Sequence, residues 1–179
     1  AQVQATDQYL KDAYLPALHR KGFQHIGVFK PLANDTAAVK KIYVLVTYPS
    51  LDSWQKTRAG LEEDPAYREA AKPFAEADTS HLPFLRVEST LLEAFPRHTH
   101  LTKPGIKVNA ETVYELRSYE SPTDRLHLKK VKMFNEGGET GLFRRLGFNA
   151  VFYADVLSGC HQPNLMYMIR SCPHQQNHP

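Results

Sequence analysis

The sequence predicts an α+β protein made of two similar halves. Segments rich in β-branched and aromatic residues alternate with segments of helical period. One junction also occurs twice, as a basic helix end, then Gly-Phe, then a strand. It reads Arg20-Lys21-Gly22-Phe23 in the first half and Arg144-Arg145-Leu146-Gly147-Phe148 in the second. After each junction the order is strand, loop, strand. A β-α-β-β-α unit with one helical layer on one antiparallel sheet is ferredoxin-like, so the expected fold is two ferredoxin-like repeats with antiparallel sheets. Residues 1–95 are expected to form the first repeat, without its leading strand. Residues 96–179 are expected to form a connector and the second repeat, without its closing helix.

The elements follow in order. Residues 3–21 carry apolar Val3, Leu10, Ala13, Tyr14, Ala17 and Leu18 on one face, with Pro16 expected to kink or interrupt the helix. Gly22 suits a left-handed cap. Phe23–Lys30 and Val39–Tyr48 read as strands around a polar loop. Ser50 caps a short helix, and Asp64-Pro65 starts another with Asp as N-cap and Pro at its first position. Phe84–Ala94 and Thr112–Tyr119 alternate as strands. Pro122 opens a long helix to Leu146, weakened at Gly137-Gly138. Phe148–Leu157 and Leu165–Ser171 complete the set, and the tail from Cys172 has no periodicity.

Composition excludes several classes. With 42% apolar and 23% charged residues the chain is of ordinary globular composition. No apolar run is long enough for a transmembrane helix. A net charge of +3 gives no reason to expect a nucleic-acid partner. The chain opens on Ala1 rather than methionine, which accommodates a removed export signal and leaves the compartment open. Cys160 and Cys172 flank one strand. At about 3.3 Å per residue that strand separates its ends by roughly 20 Å, against the ~7 Å a disulfide allows, so no intrachain bridge is expected. His98-x-His100 has the spacing of two ligands on one strand face but lacks a nearby carboxylate, so neither a metal nor a cofactor is expected.

Val113-Tyr114-Glu115-Leu116-Arg117-Ser118-Tyr119, then a helix, Leu146-Gly147-Phe148 and Asn164-Leu165-Met166-Tyr167-Met168, resembles the NIPSNAP family. The first half, with Asp64-Pro65-Ala66-Tyr67, resembles the other repeat of those proteins. The resemblance implies a dimeric α/β-barrel fold, in which two ferredoxin-like sheets face each other around a cavity. It implies a protein that binds a small molecule or a partner there, and a homo-oligomer. The wider superfamily supplies the alternative, a cofactor-independent monooxygenase-like or haem-handling enzyme. The chain departs from its relatives after the Met-Tyr-Met strand, where Arg170-Ser171-Cys172-Pro173 replaces a phenylalanine-led turn.

Strand alternation selects the cavity candidates. Glu115, Arg117 and Tyr119 share one face, expected to point away from the helices. Asn149, Tyr153 and Asp155 are expected to share the equivalent face of the next strand. His25 falls at a matching place in the first half. Glu115 and Arg117 are expected to form an ion pair. His127, beside Lys129 and Lys130, is expected to face solvent.

Overall fold

The computed structural model describes residues 2–78, 80, 82–102 and 108–171. The C-terminal tail, Cys172 and part of the Pro96–Val108 connector lie outside these residues. The fold is mixed α+β with two antiparallel sheets, one of two strands and one of four. The chain divides into two compact units, Ala1–Val87 and Glu88–Pro179. No described helix is long and apolar enough to cross a membrane.

The first unit opens with α1 (Gln2–Tyr9), a π turn (Leu10–Tyr14) and α2 (Leu15–Arg20). A helix kinked or interrupted at Pro16 was the expectation, and it is interrupted. Pro16 has no N–H to give and its ring crowds the carbonyl four residues back. The ladder answers by widening before the proline, and the Leu15 N–H bonds Leu10 instead. Strands β1 (Ile26–Phe29) and β2 (Tyr43–Val46) pair antiparallel, with Ile26 opposite Val46. Helices α3 (Leu51–Leu61) and α4 (Pro65–Ala75) begin at the two expected caps. Ser50 accepts from the Ser53 N–H, and Asp64 accepts from the N–H groups of Ala66 and Tyr67. Arg20 bridges to Asp64 at 2.6 Å and holds its carboxyl below the usual range. The core joins Ala13, Ala17 and Leu18 to Leu61, Tyr67 and Ala71. Ala13 and Ala17 let α4 approach the π turn and α2 closely.

The second unit holds β3 (Leu91–Ala94), β4 (Val113–Glu120), α5 (Asp124–Glu136), α6 (Glu139–Arg145), β5 (Asn149–Ser158) and β6 (Asn164–Ser171). The sheet order is β3-β5-β6-β4, and all neighbours are antiparallel. Strands β4 and β5 therefore run parallel with β6 between them, joined through α5 and α6, which is a split β-α-β arrangement. The boundary between the two units falls after Val87, and β3 hydrogen-bonds to β5 within the second. The long helix breaks at Gly137-Gly138, where Gly138 takes φ 81°.

The helices ending before β1 and β5 close identically. Gly22 and Gly147 are left-handed, at φ 93° and 80°. Lys21, Gly22 and Phe23 donate backbone N–H groups to Ala17, His19 and Leu18. Leu146, Gly147 and Phe148 donate to Leu142, Arg144 and Phe143. Each carbonyl stands at the same spacing, four, three and five residues back, the pattern of a Schellman cap.

Phe134, 1% exposed, is the centre of the second core. Its ring centroid lies 5.8–6.1 Å from those of Phe95, Tyr119, Phe143, Tyr153 and Tyr167. Phe134→Ala is expected to lower stability by about 3–5 kcal/mol, read as a fall in the urea midpoint. Phe134→Leu, which leaves a smaller void, should lower it less.

Candidate functional site

Pairing register assigns every side chain of the large sheet to a face. Tyr119 is opposite Leu165, Arg117 opposite Tyr167 and Glu115 opposite Ile169. Leu165, Tyr167 and Ile169 pack with Phe134 of α5 and Phe143 of α6. Glu115, Arg117 and Tyr119 therefore lie on the helix side of the sheet, which corrects the expectation that they point away from it. Alternation grouped these residues properly. It could not say which face the helices cover, because both faces of β4 carry apolar and polar residues.

On β5 the grouping itself changes. Asn149 pairs with Arg170 and Ala150 with Ile169, but the next partners are Phe152 and Met168. Val151 is the extra residue of a β-bulge, which reverses the alternation. Tyr153 and Asp155 share the helix side with Ala150, while Asn149 lies on the opposite face. The bulge is braced from outside β5. The Val151 carbonyl accepts from the Thr102 N–H at 2.9 Å. Arg170, 6% exposed, donates to the carbonyls of Thr102 at 2.5 Å and Ala150 at 3.4 Å. Alternation gave no sign of the bulge or of the Arg170 clamp.

On the helix side, Arg117 grips both oxygens of Glu115, through Nε at 2.6 Å and Nη2 at 3.1 Å. Its Nη1 donates to the Tyr167 hydroxyl at 3.1 Å, and the Tyr119 and Tyr167 hydroxyls lie 2.9 Å apart. The guanidinium also lies over the Tyr167 ring, 5.8 Å from its centroid. Burial first, and the Tyr119 hydrogen bond second, push the Tyr167 hydroxyl up to about 12. The Tyr153 hydroxyl is raised by burial and then by the charge of Glu139. These groups satisfy one another along the margin of a packed aromatic layer.

A second pair was missed in the sequence. His127 of α5 is 7% exposed, and its Nε2 lies 2.8 Å from Asp155 Oδ1. The helical position of His127, one and two turns from Val131 and Phe134 on the buried face, was the signal. The adjacent lysines obscured it, since they point elsewhere around the helix. With Nε2–H on Asp155, the Nδ1 lone pair is left buried without a hydrogen-bond partner, as is the Ser121 hydroxyl just before α5. An imidazole held this way is oriented but closed to solvent. A haem iron needs a ring nitrogen open to a cavity, and neither nitrogen of His127 offers one.

The remaining candidates stand apart. His25 belongs to the first unit, exposed, just before β1. His98 packs on Tyr153 with centroids 4.9 Å apart, and burial, followed by Arg144 and Arg97, lowers its pKa. His100 Nδ1 lies 2.9 Å from the Thr99 hydroxyl. No three metal-ligating side chains converge among the described residues. Within the first unit, an open groove of about 400 Å³ is lined by Leu10, Leu15, Pro16 and Val28 together with Asp7, Lys11 and His19. Asp7 is paired with Lys30 at 2.6 Å. His19 Nδ1 is held by the Phe23 carbonyl at 2.9 Å, so Nε2 is the nitrogen left for a ligand.

Two outcomes follow for Tyr167. Its folded pKa stands above the ordinary value of 10, so its contribution to stability is complete below pH 10 and is lost as pH rises through about 12. Tyr167→Phe, which strips Arg117 and Tyr119 of a partner, should cost about 1–3 kcal/mol at neutral pH. Denaturant midpoints across the alkaline range should fall less steeply in that variant than in the parent. An equal slope in both would refute the assignment. For the dyad, Asp155→Ala is expected to cost about 1–3 kcal/mol by leaving the buried His127 Nε2–H unpaired, while Asp155→Asn, which keeps an acceptor, should cost less in the same urea titration.

No protein-family model, no curated protein and no solved structure matches the chain. The resemblance to NIPSNAP proteins rests on the motifs quoted above.

Proposed function

We propose that this chain is a NIPSNAP-like duplication of the ferredoxin-like unit that binds a small molecule and assembles into oligomers, without catalysing a reaction. The observation that carries the binding reading is the groove of the first unit. The groove is open to solvent, and its volume of about 400 Å³ is enough for a small ligand against a mostly apolar lining that includes Asp7, Lys11 and His19. Asp7 is neutralised by Lys30, which leaves Lys11 as the cation to meet a ligand, so the fit is to an apolar molecule bearing an acid group. The identical caps at Gly22 and Gly147 support the duplication. So does the element order, helix-strand-strand-helix in one unit and split β-α-β in the other.

The enzyme reading loses its best residues to packing. Tyr119 and Tyr153 contact Phe134, and Glu115 is held by Arg117. Among the described residues the His127–Asp155 pair is the feature that favours chemistry, and its second ring nitrogen is enclosed.

The purified protein is expected to show neither a Soret band nor flavin absorbance, and either one would overturn the non-catalytic reading. Medium-chain carboxylates should raise the melting temperature. Val28→Trp, which fills the groove at a half-exposed position, should abolish that rise while leaving the unliganded melting temperature within a few degrees. A rise that survives Val28→Trp would place the ligand elsewhere.

A further inference from the structure

Among the described residues, strand β4 forms one edge of the four-stranded sheet. It is eight residues long, carries neither proline nor lysine, and has Leu116 in its middle, 41% exposed. The opposite edge, β3, has only four residues. Natural sheets blunt a long edge with proline, lysine, bulges, brevity or inward-pointing charges; of these β4 has only charges, and Glu115 and Arg117 are of opposite sign and two residues apart.

We propose that β4 pairs antiparallel with β4 of a second copy of this chain, about a two-fold axis through Leu116. The inference rests on the assembly reading above and names its surface. The register follows from face and charge. Residues directly opposite each other in an antiparallel pair share a face. An isologous pair that keeps both helical layers on one side of a continuous sheet is therefore centred on a residue, not between two. Centring on Glu115 or on Arg117 places that charge against its own copy. Centring on Leu116 places Glu115 opposite the partner's Arg117 and Arg117 opposite the partner's Glu115, with the two exposed leucines meeting on the other face.

The side chains suit this exchange. Glu115 is 52% and Arg117 35% exposed, and each already engages an opposite charge within its own strand. Pairing joins two intrachain bridges into a ring of four alternating charges. The helical layers clear one another. Helix α5 contacts β6, and the two β6 strands would stand three strand spacings apart, about 14 Å. Packed helices need only about 8–10 Å, so the Glu115 and Arg117 side chains have room between them.

Sedimentation velocity at micromolar concentration tests the proposal on the full chain, with far-UV circular dichroism as the check on folding. The parent should be a dimer. Glu115→Arg sets like charges across both symmetric contacts, and Leu116→Lys sets two ammonium groups on the axis. Each should weaken dimerisation by about tenfold or more. Arg117→Glu should do the same, and an equimolar mixture of Glu115→Arg and Arg117→Glu should regain dimers, because each then supplies the charge the other lacks. If Arg117→Glu does not fold, Glu115→Arg and Leu116→Lys decide the matter. A monomeric parent would overturn both the assembly reading and this surface. An oligomer indifferent to Glu115→Arg and Leu116→Lys would overturn this surface alone.

Discussion

The second unit depends on one ring. Phe134 descends from α5 into a layer of tyrosines and phenylalanines drawn from β4, β5, β6, α6 and the end of β3. A buried aromatic contributes through its large area and through edge-to-face contacts with its neighbours. Here the same contacts decide which side of the sheet faces the helices. Once Tyr119 and Tyr167 turn toward Phe134, alternation carries Arg117 and Glu115 to the same side, at the margin of the layer where their charges stay wet. The paired tyrosine hydroxyls and the guanidinium complete the polar edge of an otherwise apolar contact. Buried hydroxyls there would be costly without such partners.

Much of this was legible in the chain. Asp64-Pro65, Ser50 and Gly147 marked helix ends because each solves a local backbone problem. The two Gly-Phe junctions predicted matching caps, and the hydrogen bonds match one for one. What failed to show was whatever depends on contacts distant in sequence. The bulge at Val151 is fixed by Thr102 and Arg170, far from it along the chain, so counting alternate residues put Asn149 with Tyr153 when they face apart. His127 looked exposed beside two lysines, yet helical geometry turns it toward the sheet, where Asp155 meets it. The π turn before Pro16 was visible as a conflict between proline and helix but not as the particular remedy.

The candidate site divides along the same line. Glu115 and Arg117 could be read as a pair from their spacing, and they are one. Their face could not, and the face changes what they are for. On the helix side they close the aromatic layer and stand on β4, the long edge strand among the described residues. That position makes them suited to recognise another strand and poorly suited to acid–base work on a substrate. The apolar groove of the first unit was invisible to motif reasoning, since it is made of ordinary leucine, proline and valine around a helical irregularity.

The reading of the four-stranded sheet and its edge requires that Phe134 and the tyrosines share one face. Nuclear Overhauser contacts between assigned aromatic rings measure this directly. The account predicts cross-peaks from the Phe134 ring to Tyr119, Tyr153 and Tyr167, and none to Phe152, Leu116 or Met168. Cross-peaks from Phe134 to Met168 and Leu116, with Tyr167 silent, would place the helices on the opposite face and contradict it.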